Sequence, residues 1–308
     1  MSKELLLLFD TNSVIHRAFH ALPPLKMKDG SPGGAVYGTL TTFFRIVDEF
    51  TPSMIAVAFD SPGKTFRHDD FAEYKAHRPK CPDELVEQII KTKEVFERMG
   101  FAVLSEAGLE ADVIVGTVAK NIGKDKEVVI VTGDMDILQL VDGKVKAYTL
   151  KRGIKESVLY GTEEVKERYG GLLPEQLVDV KALQGDSSDN IPGVSGIGEK
   201  TAISLIKEFG SLEQVYESLE KGGDFGFSDR IKEKLLKEKS QAFMSKRLAT
   251  IDTQRFTDFK EKDFVKNFDE EKVVPILEEL GFPSLVKRLA KEEKNGKKEE
   301  KENLTFEF

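Results

Sequence analysis

The sequence predicts an α/β fold: a mostly parallel central sheet flanked by helices, followed by a mainly helical second unit. Three observations carry that prediction. Short unbroken apolar runs at Leu5–Phe9, Met54–Phe59 and Val128–Val131 suit strands buried on both faces of a parallel sheet. Between them apolar residues recur at helical spacing, as in Leu40–Phe50. Beyond about Gly170 the strand signals fade and helical periodicity takes over. A chain of 308 residues suggests about two domains on length alone, and the expected divisions are 1–170, 171–290 and a charged tail or linker at 291–308.

Taken in order, three of the predicted strands end at an acid. The first run meets Asp10, and after Thr11 and Asn12 a helix is expected near Ser13. The glycine-rich passage Gly30–Gly38 leads into the Leu40–Phe50 helix, and the second strand closes at Asp60. A weaker strand, Phe101–Leu104, precedes Glu110-Ala111-Asp112, which opens a helix over Val113–Asn121. The third run stops at Thr132 and Gly133, and Asp134 and Asp136 follow. Alone, that pair reads equally as a polar turn in which Asp136 merely starts a helix at Ile137, or as two ligands held together by a divalent cation. Open α/β sheets bind ligands beyond the carboxyl ends of their strands. Acids delivered there by three strands and a helix start favour the metal site.

Gly63–Pro82 differs in character. Lys64, Arg67, His68, Lys75, His77, Arg78 and Lys80 are interleaved with Phe66, Phe71 and Tyr74. Cations give phosphate affinity and aromatic faces stack unpaired bases, so this is the composition of a single-strand contact surface. The alternative is a solvated segment whose aromatics belong to the core. Its position directly after Asp60 favours substrate handling.

In the second unit, a helix is expected at Leu177–Leu183, then Gly185-Asp186-Ser187-Ser188-Asp189-Asn190, then the turn Gly193-Val194-Ser195-Gly196-Ile197-Gly198-Glu199-Lys200 into a helix at Ala202–Phe209. Glycines let backbone amides approach phosphate, and a helix start adds free N–H groups. This is a helix-hairpin-helix pattern, which grips a nucleic-acid backbone without reading bases. Arg230–Leu248 and Glu271–Leu280 read as packing helices. Lys291–Glu302 is almost free of apolar residues and reads as disordered or loosely helical. Leu304–Phe308 reads either as a docking peptide or as an unemployed chain end.

Composition narrows the class. A single cysteine, Cys81, leaves no internal disulfide, and the Leu5–Phe9 run is too short for a signal peptide or a membrane span. A soluble cytoplasmic protein is expected, with no membrane partner. The formal net charge of -8 first argues against a nucleic-acid partner, but the distribution of charge answers it: acids concentrate at the strand ends, cations in the inserted segment.

Phe59-Asp60, Glu110-Ala111-Asp112, Thr132-Gly133-Asp134-Met135-Asp136 and the run Gly185–Ala202 closely resemble the 5′ nuclease family, found as a domain of bacterial DNA polymerase I. The family is similar to flap endonucleases and, more remotely, to PIN-domain ribonucleases. The resemblance extends from Leu8 to about Leu289. It implies a PIN-like (resolvase-like) sheet domain followed by a helix-hairpin-helix-type DNA-binding domain. It maps metal-binding carboxylates onto Asp10, Asp60, Glu110, Asp112, Asp134, Asp136, Asp186 and Asp189, and a basic arch onto residues 63–82. Lys75, Arg78 and Arg17 fall at catalytic positions; Arg67, Tyr74, Gly193, Gly196, Gly198 and Lys200 at DNA-binding ones. Mg²⁺ is the implied cofactor, with Mn²⁺ as substitute and K⁺ at the hairpin. The implied partner is nicked or branched double-stranded DNA with a 5′ flap, with a polymerase domain in the same chain or a sliding clamp as further partners.

One position departs from the bacterial pattern Glu-Ala-Asp-Asp: Val113 takes the last place. A helical neighbour of Asp112 points roughly 100° away from it, so position 113 contributes only marginally. The implied reaction is phosphodiester hydrolysis with two cations roughly 3.5 to 4 Å apart, which suits a histidine-poor set of hard oxygen donors. The rival reading is a junction-binding protein that does not cut; a PIN-type ribonuclease is a third.

Overall fold

The computed structural model describes residues 4–150, 157–222, 226–256, 258–264 and 269–290. Readings placed on 291–308 lie outside the described residues. Strands β1 (Leu5–Asp10), β2 (Met54–Ala58), β3 (Ala102–Leu104), β4 (Glu127–Thr132), β5 (Val145–Leu150) and β6 (Ser157–Tyr160) form one sheet in the order β3-β2-β1-β4-β5-β6. All neighbours pair parallel except β5 with β6. β1 lies between β2 and β4, with Phe9 opposite Val57 on one side and Val131 on the other. Chain order reverses across the β1–β4 pair. There the connections leave in opposite directions and open a crevice at the carboxyl edge.

The apolar strand runs have the physical cause expected of them. Leu7, Phe9, Val57, Val129 and Val131 point into one core, while Leu6, Leu8, Ala56, Val128 and Ile130 point into the other. On the first face pack α1 (Thr11–Ala21), α2 (Gly34–Phe50) and α4 (Asp83–Arg98), whose Val14, Phe43 and Phe96 join that core. On the second lies α5 (Ala111–Ile122), with Val113, Ile114 and Val118 wholly buried. The basic segment contains a short helix, α3 (Phe66–Asp70), capped by a Thr65–His68 capping box.

After α6 (Thr162–Arg168) come α7 (Leu177–Gln184), α8 (Glu199–Phe209), α9 (Leu212–Lys221), α10 (Asp229–Lys237), α11 (Lys239–Ala249) and α12 (Glu270–Leu280). Leu183, Ile197, Leu205, Val215 and Leu235 form a separate helical core.

The structure corrects four expectations. Arg230–Leu248 is two helices, broken at Glu238, whose carboxylate accepts the Ser195 amide at 2.7 Å. The helix expected at Ile137 is a 3-10 turn over Asp136–Leu140, and the Asp134 carboxylate, not that of Asp136, accepts its leading amide at 2.9 Å. Strands β5 and β6 extend the sheet where no strand was expected. The span 171–290 does not share one helical core: Ile251, Phe256 and Phe264 pack beside α5, and Val273, Leu277 and Phe282 pack on the α2–α4 face. Gly116 makes the first of these contacts possible, since a Cβ there would lie 2.6 Å from Ile251 Cγ2.

Candidate active site at the carboxyl edge of the sheet

A cleft of about 630 Å³ opens above β1 and β4. Seven of the eight predicted carboxylates line it: Asp10, Asp60, Glu110, Asp112, Asp134, Asp136 and Asp189. The eighth, Asp186, lies in an adjoining pocket of about 320 Å³, across Lys181. Arg17, Arg67, Tyr74, Lys75 and Arg78 also line the cleft, with His16 and His20.

The floor is built by the strand ends. Asp10 closes β1 and its Oδ2 accepts from Thr132 Oγ1 at 2.6 Å. Thr132 Oγ1 in turn accepts the Asp134 amide at 2.9 Å, and Ser13 Oγ accepts the Gly133 amide at 2.8 Å. These bonds set the turn that turns Asp134 into the cleft. Gly133 also lets Arg17 pack closely over the turn, since a Cβ there would stand 3.2 Å from Arg17 Nε. Asp60, just past β2, accepts the Ala111 amide at 2.7 Å and so holds the first turn of α5. Glu110 is the N-cap of that helix and Asp112 lies in its first turn, where the free amides and dipole favour negative charge.

The electrostatics divide these acids into groups. Burial pushes Asp10 up to about 7, with Asp60 and Asp134 adding to the shift and the Thr132 hydroxyl opposing it. Burial also raises Asp60 and Asp134 above the usual carboxylate range. Glu110 and Asp112 instead meet cations from the basic segment. Arg67 reaches Asp112 through both terminal nitrogens, at 2.8 and 3.2 Å, and also bonds Glu110 Oε2. Burial pushes Asp112 up, but the Arg67 guanidinium wins and holds it below its ordinary value. Lys75 Nζ lies 2.7 Å from Glu110 Oε1 and 3.9 Å from Asp189 Oδ2. Arg78 Nη2 lies 2.5 Å from Asp189 Oδ1.

A third group shares Lys181, on α7, which bonds Asp136 and reaches Asp186 Oδ2 at 2.5 Å. Asp136 is nevertheless pushed up to about 7 by burial and by Asp134. Asp186 is drawn down to about 2: burial opposes, but Lys181 and the hydroxyl and amide of Ser188 prevail.

The basic segment is placed differently from its sequence reading. Arg67 and Tyr74 are only 2% and 3% exposed, so neither offers a free face to a base. The Tyr74 hydroxyl lies 3.2 Å from both Glu110 Oε2 and Asp189 Oδ2. Lys75 and Asn190 both have φ of +56°, uncommon outside glycine. The two turns are clasped: the Lys75 amide donates to Asp189 O at 2.9 Å and Asn190 Nδ2 to Glu73 O at 2.7 Å. Asn12, Ser13, Thr132 and Lys181 were missed in the sequence. Lys181 had a usable signal, a lone cation in an apolar helix just before Gly185-Asp186.

The hairpin lies at the start of α8. Gly193 has φ +62° and no room for a side chain, since a Cβ would stand 2.6 Å from Gln184 C. Its amide donates to Ser245 Oγ at 3.0 Å and its carbonyl accepts from Gln241 Nε2 at 2.7 Å. Gly196, Gly198 and Lys200 are exposed. Val113 has no exposure and belongs to the core under α5, so position 113 does not face the cleft.

Among the described residues, no three acidic, histidine or cysteine side chains converge closely enough to hold an ion unaided. The donor set still fits hard divalent cations: oxygen ligands crowd the floor, and Asp10, Asp60 and Asp134 have no cation in bonding reach among the described residues. No helix among the described residues is long and apolar enough to cross a membrane.

Comparison with known proteins agrees with this architecture. Residues 5–170 match the 5′-3′ exonuclease N-terminal resolvase-like domain, and residues 172–271 the 5′-3′ exonuclease C-terminal SAM fold. DNA polymerase I of Bacillus subtilis is 42% identical over 289 residues, covering 93% of this chain and 32% of that protein. The chain thus spans about a third of the length of such relatives. Among solved structures, the T5 5′-exonuclease with bound divalent metal ions (zinc) superposes with a TM-score of 0.68 at 22% identity, over 81% of this chain and 90% of that one. Flap endonuclease-1 from Methanococcus jannaschii does so with 0.56 at 19% identity, over 94% and 91%. At those identities the structures attest the fold alone. The mostly parallel sheet with acids at its switch point, the helical unit behind it and the two consecutive domain matches place this chain in the 5′-3′ exonuclease family.

Proposed function

We propose that this chain is a metal-dependent 5′ nuclease that hydrolyses phosphodiesters at 5′ ends, flaps and nicks of DNA, RNA primers included. The observation that supports it most is the gathering of seven carboxylates at the β1–β4 switch point, with the cationic 63–82 segment on the cleft wall. Asp10, Asp60, Glu110, Asp112, Asp134 and Asp136 would hold Mg²⁺, or Mn²⁺ in its place, with Asp186 and Asp189 acting at a distance. Bound there, divalent cations supply charge stabilisation on both sides of the scissile phosphodiester.

The chain's own residues do the rest. Lys75 and Arg78, 23% and 49% exposed, can exchange their carboxylate partners for phosphate oxygens and stabilise charge developing there. Arg17, whose Nη2 is 3.4 Å from Gly133 O, stands beside the Asp134 turn where the phosphate would enter. Tyr74 holds Glu110 and Asp189 at a fixed spacing rather than stacking on a base. Gly196, Gly198 and Lys200 present free amides and a cation to the duplex backbone, with Gly193 setting the turn; K⁺ at this hairpin belongs to the same reading. The polymerase relatives support action on replication and repair intermediates, in the cytoplasm and beside a polymerase domain; a sliding clamp is a further partner of the same reading.

Replacing Asp134 with Ala and supplying Mg²⁺ with a 5′-flap duplex tests the reading. Cleavage should fall at least a hundredfold with flap binding in EDTA retained. Undiminished cleavage overturns it, and wild-type protein that binds flaps yet never cuts them establishes the junction-binding alternative.

A further inference from the structure

Arg67 is the cleft cation with no access to substrate. Lys75 and Arg78 are 23% and 49% exposed, whereas the Arg67 side chain is 2% exposed. Its guanidinium takes Asp112 bidentately and Glu110 Oε2, and Nη2 lies 3.4 Å from Thr250 O in the segment after α11. Its Nε is buried without a hydrogen-bond partner. The group is held between aromatic faces, 5.4 Å from the Phe66 centroid and 5.8 Å from that of Tyr74, and Arg255 covers Phe66 at 3.9 Å. To meet a phosphate, Arg67 would have to break its three bonds to carboxylates, leaving Asp112 without its cation and Glu110 with Lys75 and Tyr74 alone, a loss exceeding that of one exposed phosphate contact.

We infer that Arg67 is an internal counter-cation: a positioning residue that holds Glu110 and Asp112 in register from behind the site and neutralises them when no divalent ion does so. The planar fork suits this task, because it fixes two carboxylates at once where an ammonium would fix one. The tie to Thr250 extends the effect, joining the base of the basic segment, the start of α5 and the chain that returns to the sheet. Arg67 therefore competes with a divalent ion for the same two carboxylates. Asp10, Asp60 and Asp134, with no such cation in bonding reach among the described residues, stand ready for one without competition.

The inference rests on the nuclease reading only for the cation's chemistry, so its test does not use cleavage. Thermal melting of the full chain in EDTA and with increasing Mn²⁺ is compared for wild type, Arg67→Gln and Arg67→Lys, and binding of a 5′-flap duplex is measured in EDTA. Arg67→Gln should melt lower in EDTA and gain more from Mn²⁺ than wild type does, with Arg67→Lys between them. Flap affinity in EDTA should stay within about threefold. Equal Mn²⁺ gains in all three proteins, or a tenfold loss of flap affinity in EDTA, overturns it. Should Arg67→Gln fail to fold in EDTA, recovery on adding Mn²⁺ supports the inference; failure in both, with Arg67→Lys gaining no more than wild type, overturns it. Cleavage by wild type, assayed separately, decides the nuclease reading on its own.

Discussion

The strand-edge cleft and the hairpin are both suited to meeting phosphate, by opposite means. In the cleft, seven carboxylates face Arg17, Arg67, Lys75 and Arg78, and the floor acids are forced upward by burial and by one another. In the hairpin the chemistry is nearly neutral and the constraint is steric: Gly193 fits where no side chain could. The first region carries unfavourable buried charge, and the second keeps a shape. The cleft should therefore respond to charge, metal and pH, and the hairpin to atoms alone.

The largest effect should come from removing charge at the cleft floor. Raising Asp10 from an ordinary 3.8 to about 7 corresponds to roughly 4 kcal/mol of unfavourable charge burial at neutral to alkaline pH. Asp10→Asn keeps the shape and removes the charge. In metal-free buffer near pH 8 it should melt several degrees above wild type, while Mg²⁺-dependent cleavage falls at least a hundredfold. A variant that melts lower at that pH while keeping its shape by circular dichroism would place the Asp10 charge in a stabilising role and erase the contrast.

Next in size is the pH response of the unaltered protein. Asp10 and Asp136 titrate near 7 when folded and near 4 when unfolded. Between those values the folded state binds more protons, so stability falls as pH rises, and above about pH 7 the full penalty applies. Metal-free protein should melt progressively lower from about pH 5 to about pH 8. Mn²⁺ should flatten that slope, since a bound cation favours the charged carboxylates. Asp186, drawn down to about 2 by Lys181 and Ser188 against its burial, works in the other direction: it loses its contribution only as pH falls from about 4 toward 2. A metal-free melting curve flat from pH 5 to 8 would contradict the assignment of the floor acids.

Much of this was legible in the sequence because its causes are local. Leu6, Leu7, Leu8 and Val128–Val131 are apolar on successive residues since both sheet faces are covered, and an aspartate after such a run can only stand at the sheet's edge. The hairpin was legible because its glycines are spaced along one short turn, and two of them, Gly193 and Gly196, do take the positive φ that favours glycine. What could not be read is the pairing across long separations. Arg67 looked like a solvent-facing cation because nothing near it in sequence reveals Glu110 and Asp112, 43 and 45 residues on. Tyr74 looked like a stacking platform for the same reason. Lys181 was passed over because its partners straddle it, Asp136 lying far upstream. The return of Ile251 and Leu277 to the sheet cores depends on Gly116 and the α2–α4 surface, which the helical pattern of that segment cannot disclose.

The smallest effects should come from the hairpin, where two glycines separate fold from contact. Gly193→Ala forces a Cβ against the Gln184–Gly185 backbone at a φ of +62°. The positive φ alone costs about 1–3 kcal/mol and the overlap with backbone adds to it, so melting should drop at every pH by the same amount, with or without Mn²⁺. Gly198 is different: it is the N-cap of α8, its φ of −94° suits any residue, and a Cβ there meets nothing within 4 Å. Gly198→Ala should lose only about 0.5–1 kcal/mol, the cost of a poorer cap. Its added methyl would nevertheless stand between the exposed helix start and an approaching phosphate. Flap-duplex affinity in EDTA should then fall severalfold for Gly198→Ala while its melting curve barely moves, and the loss should keep the same size from about pH 6 to about pH 8. An unchanged affinity would remove the α8 start from the contact surface and leave Lys200 to meet the phosphate as a point charge.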